Sequence, residues 1–175
     1  MIFKRIKNCR ISGDKNLIKI AKFPSMGLTG TFLKKNKEAI KTPVEVVFSK
    51  KSKLLQLRHN YNSKILYGVN YGYRSGLNPI MVNHLKKKAK VLQKKYLNKN
   101  SMLLDIGSND CTFLNQFKAC NKYGVDPTII KYKNFYPENI IKIAKTFENS
   151  YVNLKKNKFN LITSVAMFYD LEDPV

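Results

Sequence analysis

The segment of this sequence best equipped for chemistry is a short acidic turn in its second half. Residues 105–110 read Asp-Ile-Gly-Ser-Asn-Asp after an apolar run, and Asp126 follows 21 residues after Asp105. A glycine that ends a buried strand lets the backbone approach a nucleoside, and an acidic residue that ends the next strand can accept hydrogen bonds from both ribose hydroxyls. The spacing therefore predicts a nucleoside site, with a ligand-free α/β core as the alternative.

The charge of this turn bears on which nucleoside would bind. A dinucleotide-binding turn presents three glycines to a pyrophosphate, whereas here only Gly107 is present and Asp105 and Asp110 flank it. Carboxylates repel a pyrophosphate, but they suit a ligand with cationic sulfonium and ammonium groups. The turn therefore favours S-adenosylmethionine over NAD as the cofactor.

The residues around the turn predict the elements that position it. We expect strands at 102–106, 123–126 and 158–165, with a helix at 112–119. Because strands that alternate with helices form a parallel sheet, the predicted class of residues 101–175 is α/β and Rossmann-like.

The first hundred residues have a different pattern. Glycine and proline divide residues 1–48 into short apolar runs, which predicts a small β-containing lobe, with strands at 44–48 and 54–57. An aromatic loop at 67–76 follows, and then a helix at 78–96 that begins with an Asn-Pro pair. The predicted domains are the lobe and loop at 1–77, a connecting helix at 78–100 and a partial cofactor domain at 101–175.

The net charge of +22 is confined to one part of the chain. Residues 1–100 hold 24 basic and 3 acidic residues, a net charge of +21, and residues 101–175 hold 9 and 8, a net charge of +1. This excess predicts an anionic partner, with a solvated lysine surface on the helix as the alternative. Of the four arginines, Arg58 and Arg74 are the candidates for binding phosphate, because guanidinium contacts phosphate through two nitrogens.

The remaining residues predict a cytoplasmic protein without a membrane anchor. The three cysteines lack framework spacing, the first ten residues lack a signal-like apolar region, and no apolar run approaches the length of a membrane span. His59 and His84 are isolated from each other, which favours ordinary surface or packing roles. The acidic cluster at 170–173 is expected to be a solvated loop rather than a base or metal site.

Several segments in this order resemble the S-adenosylmethionine-dependent sugar C-methyltransferases, which act on nucleotide-linked keto-deoxysugars. The matching segments are Cys-Arg-Ile-Ser-Gly at 9–13, Leu-Leu-Gln-Leu-Arg-His at 54–59, Leu-Tyr at 66–67, Tyr-Arg-Ser-Gly-Leu-Asn at 73–78 and the turn at 105–110. The resemblance covers nearly the whole chain. It implies a small zinc lobe, a Rossmann-like methyltransferase domain and a Tyr-rich loop near both ligands.

The resemblance also assigns roles to residues of this chain. It implies that the turn and the end of the second strand bind the cofactor, and that Tyr73 and Ser75 line the cofactor or substrate cleft. The nucleotide diphosphate of the sugar would lie against the cationic first half. The expected cofactor-binding residues are Asp105, Gly107, Ser108, Asn109, Asp126 and Tyr73, and the expected substrate-binding residues are Arg58, Arg74 and Ser75.

The chain departs from the family pattern at three places. The family's two Cys-x-x-Cys pairs align with Cys9 and Ser12 and with Ser49 and Ser52, so we expect no zinc, because a serine hydroxyl is not ionised at neutral pH. Cys111 stands where the family has glycine, where it would either crowd the cofactor or be tolerated as a small residue. The family's catalytic His and acidic residues fall after residue 175, so we expect that the isolated chain does not catalyse methyl transfer.

Two other functions remain open at this point. The chain could be a non-catalytic remnant or split subunit that pairs with a complementary C-terminal chain along its fourth strand. It could instead be a basic RNA-binding module or RNA methyltransferase, which the charge favours but no RNA-binding signature supports. Nucleic acid is the less favoured of these partners.

Overall fold

A computed structural model describes residues 1–32, 39–68, 70–118 and 120–174. The chain divides into two compact units, the first formed by Met1–Gly72 and Tyr169–Val175 and the second by Tyr73–Phe168. The strands are β1 (Phe3–Arg5), β2 (Leu17–Gly27), β3 (Lys41–Ser49), β4 (Leu54–Leu57), β5 (His59–Tyr61), β6 (Met102–Ile106), β7 (Asn121–Val125), β8 (Ile140–Ile143) and β9 (Leu161–Ser164). The α-helices are α1 (Ser63–Leu66), α2 (Pro79–Tyr96), α3 (Ile129–Tyr132) and α4 (Phe147–Leu154).

The first unit is built from two small antiparallel sheets. Strands β2, β3 and β4 form one sheet in that order, and β1 pairs with β5 in the other. The predicted strands at 44–48 and 54–57 correspond to β3 and β4. Strand β2 is longer than the short runs expected there. The sequence pattern does not reveal its full length, because bulges between Lys19 and Ala21 and between Phe23 and Met26 interrupt its alternation of polar and apolar residues.

The second unit contains a four-stranded parallel sheet in the order β8-β7-β6-β9. The class predicted for this part of the chain, α/β with a parallel sheet, is therefore confirmed. The predicted strands at 102–106, 123–126 and 158–165 correspond to β6, β7 and β9. Strand β8 and helix α4 have no predicted counterpart.

Both faces of the parallel sheet are covered. Successive residues of β6 point to opposite sides, so Leu103 packs in a cluster with Leu85 and Ala89 of α2, and Leu104 packs with Leu154 of α4. Such two-sided burial is typical of parallel sheets and explains why the β6 sequence is an apolar run rather than an alternating one.

Helix α2 begins as the sequence predicts. The Asn78 side chain accepts hydrogen bonds from the backbone N–H groups of Ile80 and Met81, and Pro79 occupies the first helical position, where no N–H is needed. Its buried face is narrow, with Leu85 and Ala89 fully enclosed. The helix belongs to the second unit, which starts at Tyr73.

The helix predicted at 112–119 is wrong over the residues that the structure describes, which exclude residue 119. Only a 3-10 turn is present, at Leu114–Gln116, and Phe117 is already extended, with φ −87° and ψ 138°. The apolar residues Phe113, Leu114 and Phe117 are buried in the core within this single turn. The apolar pattern therefore reflects a tightly packed connection to β7.

Within the described residues, none of the helices has the length and apolar character needed to cross a membrane.

Candidate functional site

The central strand β6 marks the place where the direction of chain progression across the sheet reverses. From β6 the chain adds β7 and β8 on one side and then returns to place β9 on the other. Parallel α/β sheets bind ligands at the carboxyl ends of the strands next to such a reversal. Gly107 directly follows β6 at this edge, and a Cβ atom there would come within 2.8 Å of the Met167 side chain, which follows β9.

The loop after β6 has an unusual backbone. Gly107, Asn109 and Cys111 have φ values of 77°, 48° and 68°, so every second residue lies in the left-handed region. Glycine adopts this region freely, whereas Asn109 and Cys111 need surrounding contacts to hold them there. Hydrogen bonds supply part of this support, with Gly107 N donating to Val125 O at 2.8 Å and Cys111 N to Ser108 O at 2.9 Å.

Asp126 braces the loop from the end of β7. Its Oδ2 accepts from the backbone N–H of Asn109 at 2.9 Å, and its Oδ1 accepts from the N–H and hydroxyl of Thr128 at 2.7 and 2.6 Å. A carboxylate has about four acceptor positions, so these contacts leave about one, at Oδ2. Asp126 can therefore take one ribose hydroxyl rather than the two that its place in the sequence predicts.

The loop also holds the segment that starts the second unit. Asn109 Oδ1 accepts from Ser75 N at 3.0 Å, and Asn109 Nδ2 donates to Tyr73 O at 3.2 Å. Asp110 Oδ2 accepts from Gly76 N at 3.1 Å and from Arg74 Nε at 3.2 Å. The structure thus brings together the Tyr-Arg-Ser-Gly segment and the acidic turn, two motifs more than 30 residues apart.

Arg74 is held by its partners in this segment. Besides its ion pair with Asp110, whose side chain is 1% exposed, its guanidinium carbon lies 3.7 Å from the centre of the Phe135 ring. The Arg74 side chain is 25% exposed, so part of it is open to solvent. Arg58 belongs to the first unit, where its Nε lies 3.6 Å from Glu45 and its Nη2 donates to Leu17 O at 3.3 Å, so it supports the β-sheet there.

Asp105 is the most deeply buried carboxyl of the site. It is 2% exposed, and its Oδ1 accepts a 2.7 Å hydrogen bond from the Thr163 hydroxyl of β9. Burial raises the pKa of Asp105 to about 7; the charge of Asp126 acts in the same direction, and the hydrogen bond from Thr163 opposes both. Among the described residues, the interactions that set this pKa include no cation, so the edge of the sheet carries a carboxyl without a compensating positive charge there.

Ser108 faces inward rather than toward a ligand. Its hydroxyl donates to the Tyr136 hydroxyl at 2.8 Å, and Tyr136 in turn donates to the Asn109 carbonyl at 2.8 Å. Ser108 and Tyr136 are 3% and 6% exposed, so this chain of hydrogen bonds lies within the core. Ser108 is thus a structural support of the loop.

The Cys111 side chain points into the core. It is fully buried beside Leu114 and Phe117, and burial raises the pKa of its thiol to about 12. Of the two alternatives for Cys111, the burial of its thiol inside the core cluster favours a tolerated small residue. Its positive φ explains why a glycine suits this position.

The four positions that the resemblance aligns with zinc ligands lie together in the first unit. Cys9 Sγ is 3.1 Å from Ser52 Oγ, and Ser12 Oγ is 3.5 Å from Ser49 Oγ. Three of these four side chains are neutral hydroxyls, which do not fit a zinc site. Over residues 1–32, 39–68, 70–118 and 120–174, three or more His, Cys, Asp or Glu side chains nowhere form a group that could hold a metal ion.

The histidines and the C-terminal acidic residues lie outside the loop site. His59 is buried in the first unit with its ring edge-on to Phe3, whereas His84 is exposed on α2. In the acidic cluster, Glu172 accepts from the Asn60 side chain at 3.0 Å, and burial raises the pKa of Asp170, which a hydrogen bond from Tyr67 counteracts. These acidic residues contact other residues of the first unit rather than forming a separate site.

No family model matches this chain, and neither does any curated protein.

Sequence reasoning located the loop but missed the residues that support it. Tyr136, Thr128 and Thr163 bind Ser108, Asp126 and Asp105, respectively. Thr128 is the one with a recognisable signal, since a threonine two residues after an aspartate commonly closes a turn on that carboxylate. Tyr136 and Thr163 have no local signal, because their contacts depend on how β6, β7 and β9 are placed.

Replacing Tyr136 with phenylalanine should destabilise the second unit by about 1–2 kcal/mol. The change leaves the buried Asn109 carbonyl and Ser108 hydroxyl without their partner. Chemical denaturation measures the effect. Tyr123→Phe is the matched control, because Tyr123 is half-buried and contacts Phe159 through its ring; equal effects of the two substitutions would show that the Tyr136 hydroxyl does not brace the loop.

Proposed function

We propose that the second unit has a Rossmann-like fold that binds S-adenosylmethionine, and that this chain is the cofactor-binding portion of a C-methyltransferase. One observation carries the proposal. The loop after β6, with Gly107 at its start, is joined to Asp126 at the end of β7 and to the Tyr73 segment. This is the edge of the sheet at which parallel α/β folds bind nucleosides.

The charges at this edge suit a cationic ligand. Asp105, Asp110 and Asp126 are all at least 92% buried, and only Asp110 has a cationic partner within hydrogen-bonding distance in the described part of the unit. A pyrophosphate would add negative charge beside these carboxyls, whereas a sulfonium or ammonium group would compensate them. The donor set therefore fits S-adenosylmethionine better than a dinucleotide.

The residues of this chain would divide the work of holding the ligand. Gly107 adopts the positive φ that starts the loop, the open acceptor position of Asp126 takes one ribose hydroxyl, and the exposed Tyr73 ring covers one side. When bound, S-adenosylmethionine supplies an electrophilic methyl group. The positions of Asn109 and Asp110, fixed by Ser75 and Gly76, keep this edge in one geometry before the ligand arrives.

The substrate class rests on the resemblance of the ordered motifs to sugar C-methyltransferases. In such a reaction a base removes the proton beside a sugar keto group, and the resulting carbanion attacks the methyl group. The resemblance assigns that base to none of the 175 residues, so the roles proposed here concern the binding of cofactor and substrate. Arg74, whose side chain is 25% exposed, is the candidate contact for the nucleotide diphosphate of the sugar.

Replacing Tyr73 with alanine should weaken binding of S-adenosylhomocysteine about tenfold without unfolding the second unit. Only the backbone carbonyl of Tyr73 accepts hydrogen bonds from the loop residues, so the substitution leaves those bonds intact while it removes a 43% exposed ring. Calorimetric titration measures the affinity. Tyr96→Ala on α2, where the ring is 46% exposed, is the control; equal weakening by both variants, or none by either, would contradict the proposal.

Binding of S-adenosylmethionine near pH 7 should release protons. The pKa of Asp105 is raised to about 7, so part of the population is protonated, and a cation placed beside this carboxyl favours its ionised form. Titrations in buffers of different ionisation enthalpy measure the number of protons released. Asp105→Asn should abolish the release, whereas Glu138→Gln, a change at an exposed residue, should leave it unchanged; release that persists in Asp105→Asn would contradict this role of Asp105.

A second candidate function is RNA binding by α2. All six lysines of this helix are exposed, and the sequence from 46 to 104 contains no acidic residue. Such an unpaired cationic surface attracts phosphates. The six residues are Lys86, Lys87, Lys88, Lys90, Lys94 and Lys95.

If α2 binds RNA, neutralising three lysines on one face should lower both the affinity and its dependence on salt. Lys87, Lys90 and Lys94 lie along one side of the helix, and their replacement by glutamine should reduce the slope of log affinity against log salt by about 2. Fluorescence anisotropy with a single-stranded RNA measures both. The control carries the same charge change at the exposed Lys155, Lys156 and Lys158; equal slopes for the two variants would exclude α2 as the RNA site.

A further inference from the structure

Two turns of the first unit have the same geometry. In each, a side-chain atom accepts the backbone N–H of the residue three positions later: Ser12 N donates to Cys9 Sγ at 3.5 Å, and Ser52 N donates to Ser49 Oγ at 3.4 Å. The residue that follows the N–H donor has a positive φ in both turns. The values are 67° for Gly13, after Ser12, and 59° for Lys53, after Ser52. The two turns are therefore equivalent in spacing, hydrogen bonding and backbone conformation.

The turns face each other through the same four side chains. Cys9 Sγ lies 3.1 Å from Ser52 Oγ, and Ser12 Oγ lies 3.5 Å from Ser49 Oγ. Ser49 also donates to Asp14 Oδ2 at 3.3 Å. We call this group the turn clamp (Cys9, Ser12, Ser49 and Ser52). Cys9 and Ser49 are 3% and 0% exposed, whereas Ser12 and Ser52 are half-buried.

Two distances in the turn clamp are close to those of a tetrahedral metal site. A zinc–sulfur distance of about 2.3 Å gives an edge of about 3.8 Å between ligand atoms. The corresponding distances in the clamp are 3.1 Å between Cys9 Sγ and Ser52 Oγ and 3.5 Å between Ser12 Oγ and Ser49 Oγ. The four side chains therefore converge about as closely as metal ligands do.

We propose that the turn clamp is a tetrahedral metal-site scaffold that works without metal, because hydrogen bonds among its four side chains join the two turns. Cys9 is the common acceptor, facing the hydroxyl of Ser52 and the N–H of Ser12. The inference concerns the first unit and is independent of the proposed cofactor.

Conversion of the three serines to cysteine tests the geometry directly. The full chain carrying Ser12→Cys, Ser49→Cys and Ser52→Cys should bind one cobalt(II) ion with the visible spectrum of tetrahedral thiolate coordination, and zinc should displace it. Its thermal midpoint should rise with zinc and fall with a chelator. The unmodified chain should give no such spectrum, and its midpoint should not respond to zinc or to chelator.

A control variant places three cysteines at exposed positions of the same turns, Ile11→Cys, Lys50→Cys and Lys51→Cys. It should give at most a weak spectrum without tetrahedral character. A folded variant with Ser12→Cys, Ser49→Cys and Ser52→Cys that fails to give the tetrahedral spectrum would overturn the proposal, and so would an unmodified chain that carries stoichiometric zinc or loses its fold in chelator.

A second measurement tests the turn clamp even if the variant with three cysteines does not fold. Ser52→Ala removes the hydroxyl that faces Cys9 and should lower the thermal midpoint of the unmodified chain, whereas Ser25→Ala, at an exposed position of β2, should not. Equal midpoints for these two variants would show that the hydrogen bonds of the turn clamp do not hold the turns together.

Discussion

The second unit depends on two buried carboxylates that hold an otherwise unfavourable loop. Two non-glycine residues between 107 and 111 adopt positive φ values, which cost free energy unless the surroundings fix them. Asp126 and Asp110 supply that constraint by accepting backbone and side-chain hydrogen bonds from both sides of the loop. The order of this edge of the sheet therefore comes from carboxylates that face the protein rather than from the loop residues alone.

This arrangement shapes what the edge can bind. Most acceptor positions of Asp110 and Asp126 are occupied by the chain itself, while Asp105 stays buried with its pKa raised to about 7. The loop is thus already held in place by the chain itself, and the carboxyl of Asp105 has no compensating cation among the described residues. A cationic nucleoside fits these conditions better than an anionic one, and a single ribose hydroxyl is the most that Asp126 can take.

The sequence indicated the position of the site better than its internal construction. The apolar run before Gly107 and the spacing to Asp126 are local patterns, so β6, the loop and the end of β7 could be predicted from them. Tyr136 and Thr163 could not, because they meet the loop only through the packing of separate strands and turns. The false helix at 112–119 arose because three residues buried in a single turn have the spacing of a helix face.

In the first unit, the pairs Cys9 and Ser12 and Ser49 and Ser52 predict that zinc is absent. The same four residues form the turn clamp. Sequence alone showed that three potential ligands are serines; it could not show that the four side chains still converge, since that depends on the pairing of β2, β3 and β4. Hydrogen bonds among these four side chains join the two turns.

The central claim, that the edge formed by β6, β7 and β9 binds S-adenosylmethionine, is tested most directly by the backbone amide NMR spectrum during titration with S-adenosylhomocysteine. The account predicts saturable shifts concentrated at Gly107, Asn109, Asp126 and Tyr73, with little change in the first unit. A spectrum that does not change at millimolar ligand, or one whose shifts cluster away from this loop, would contradict it.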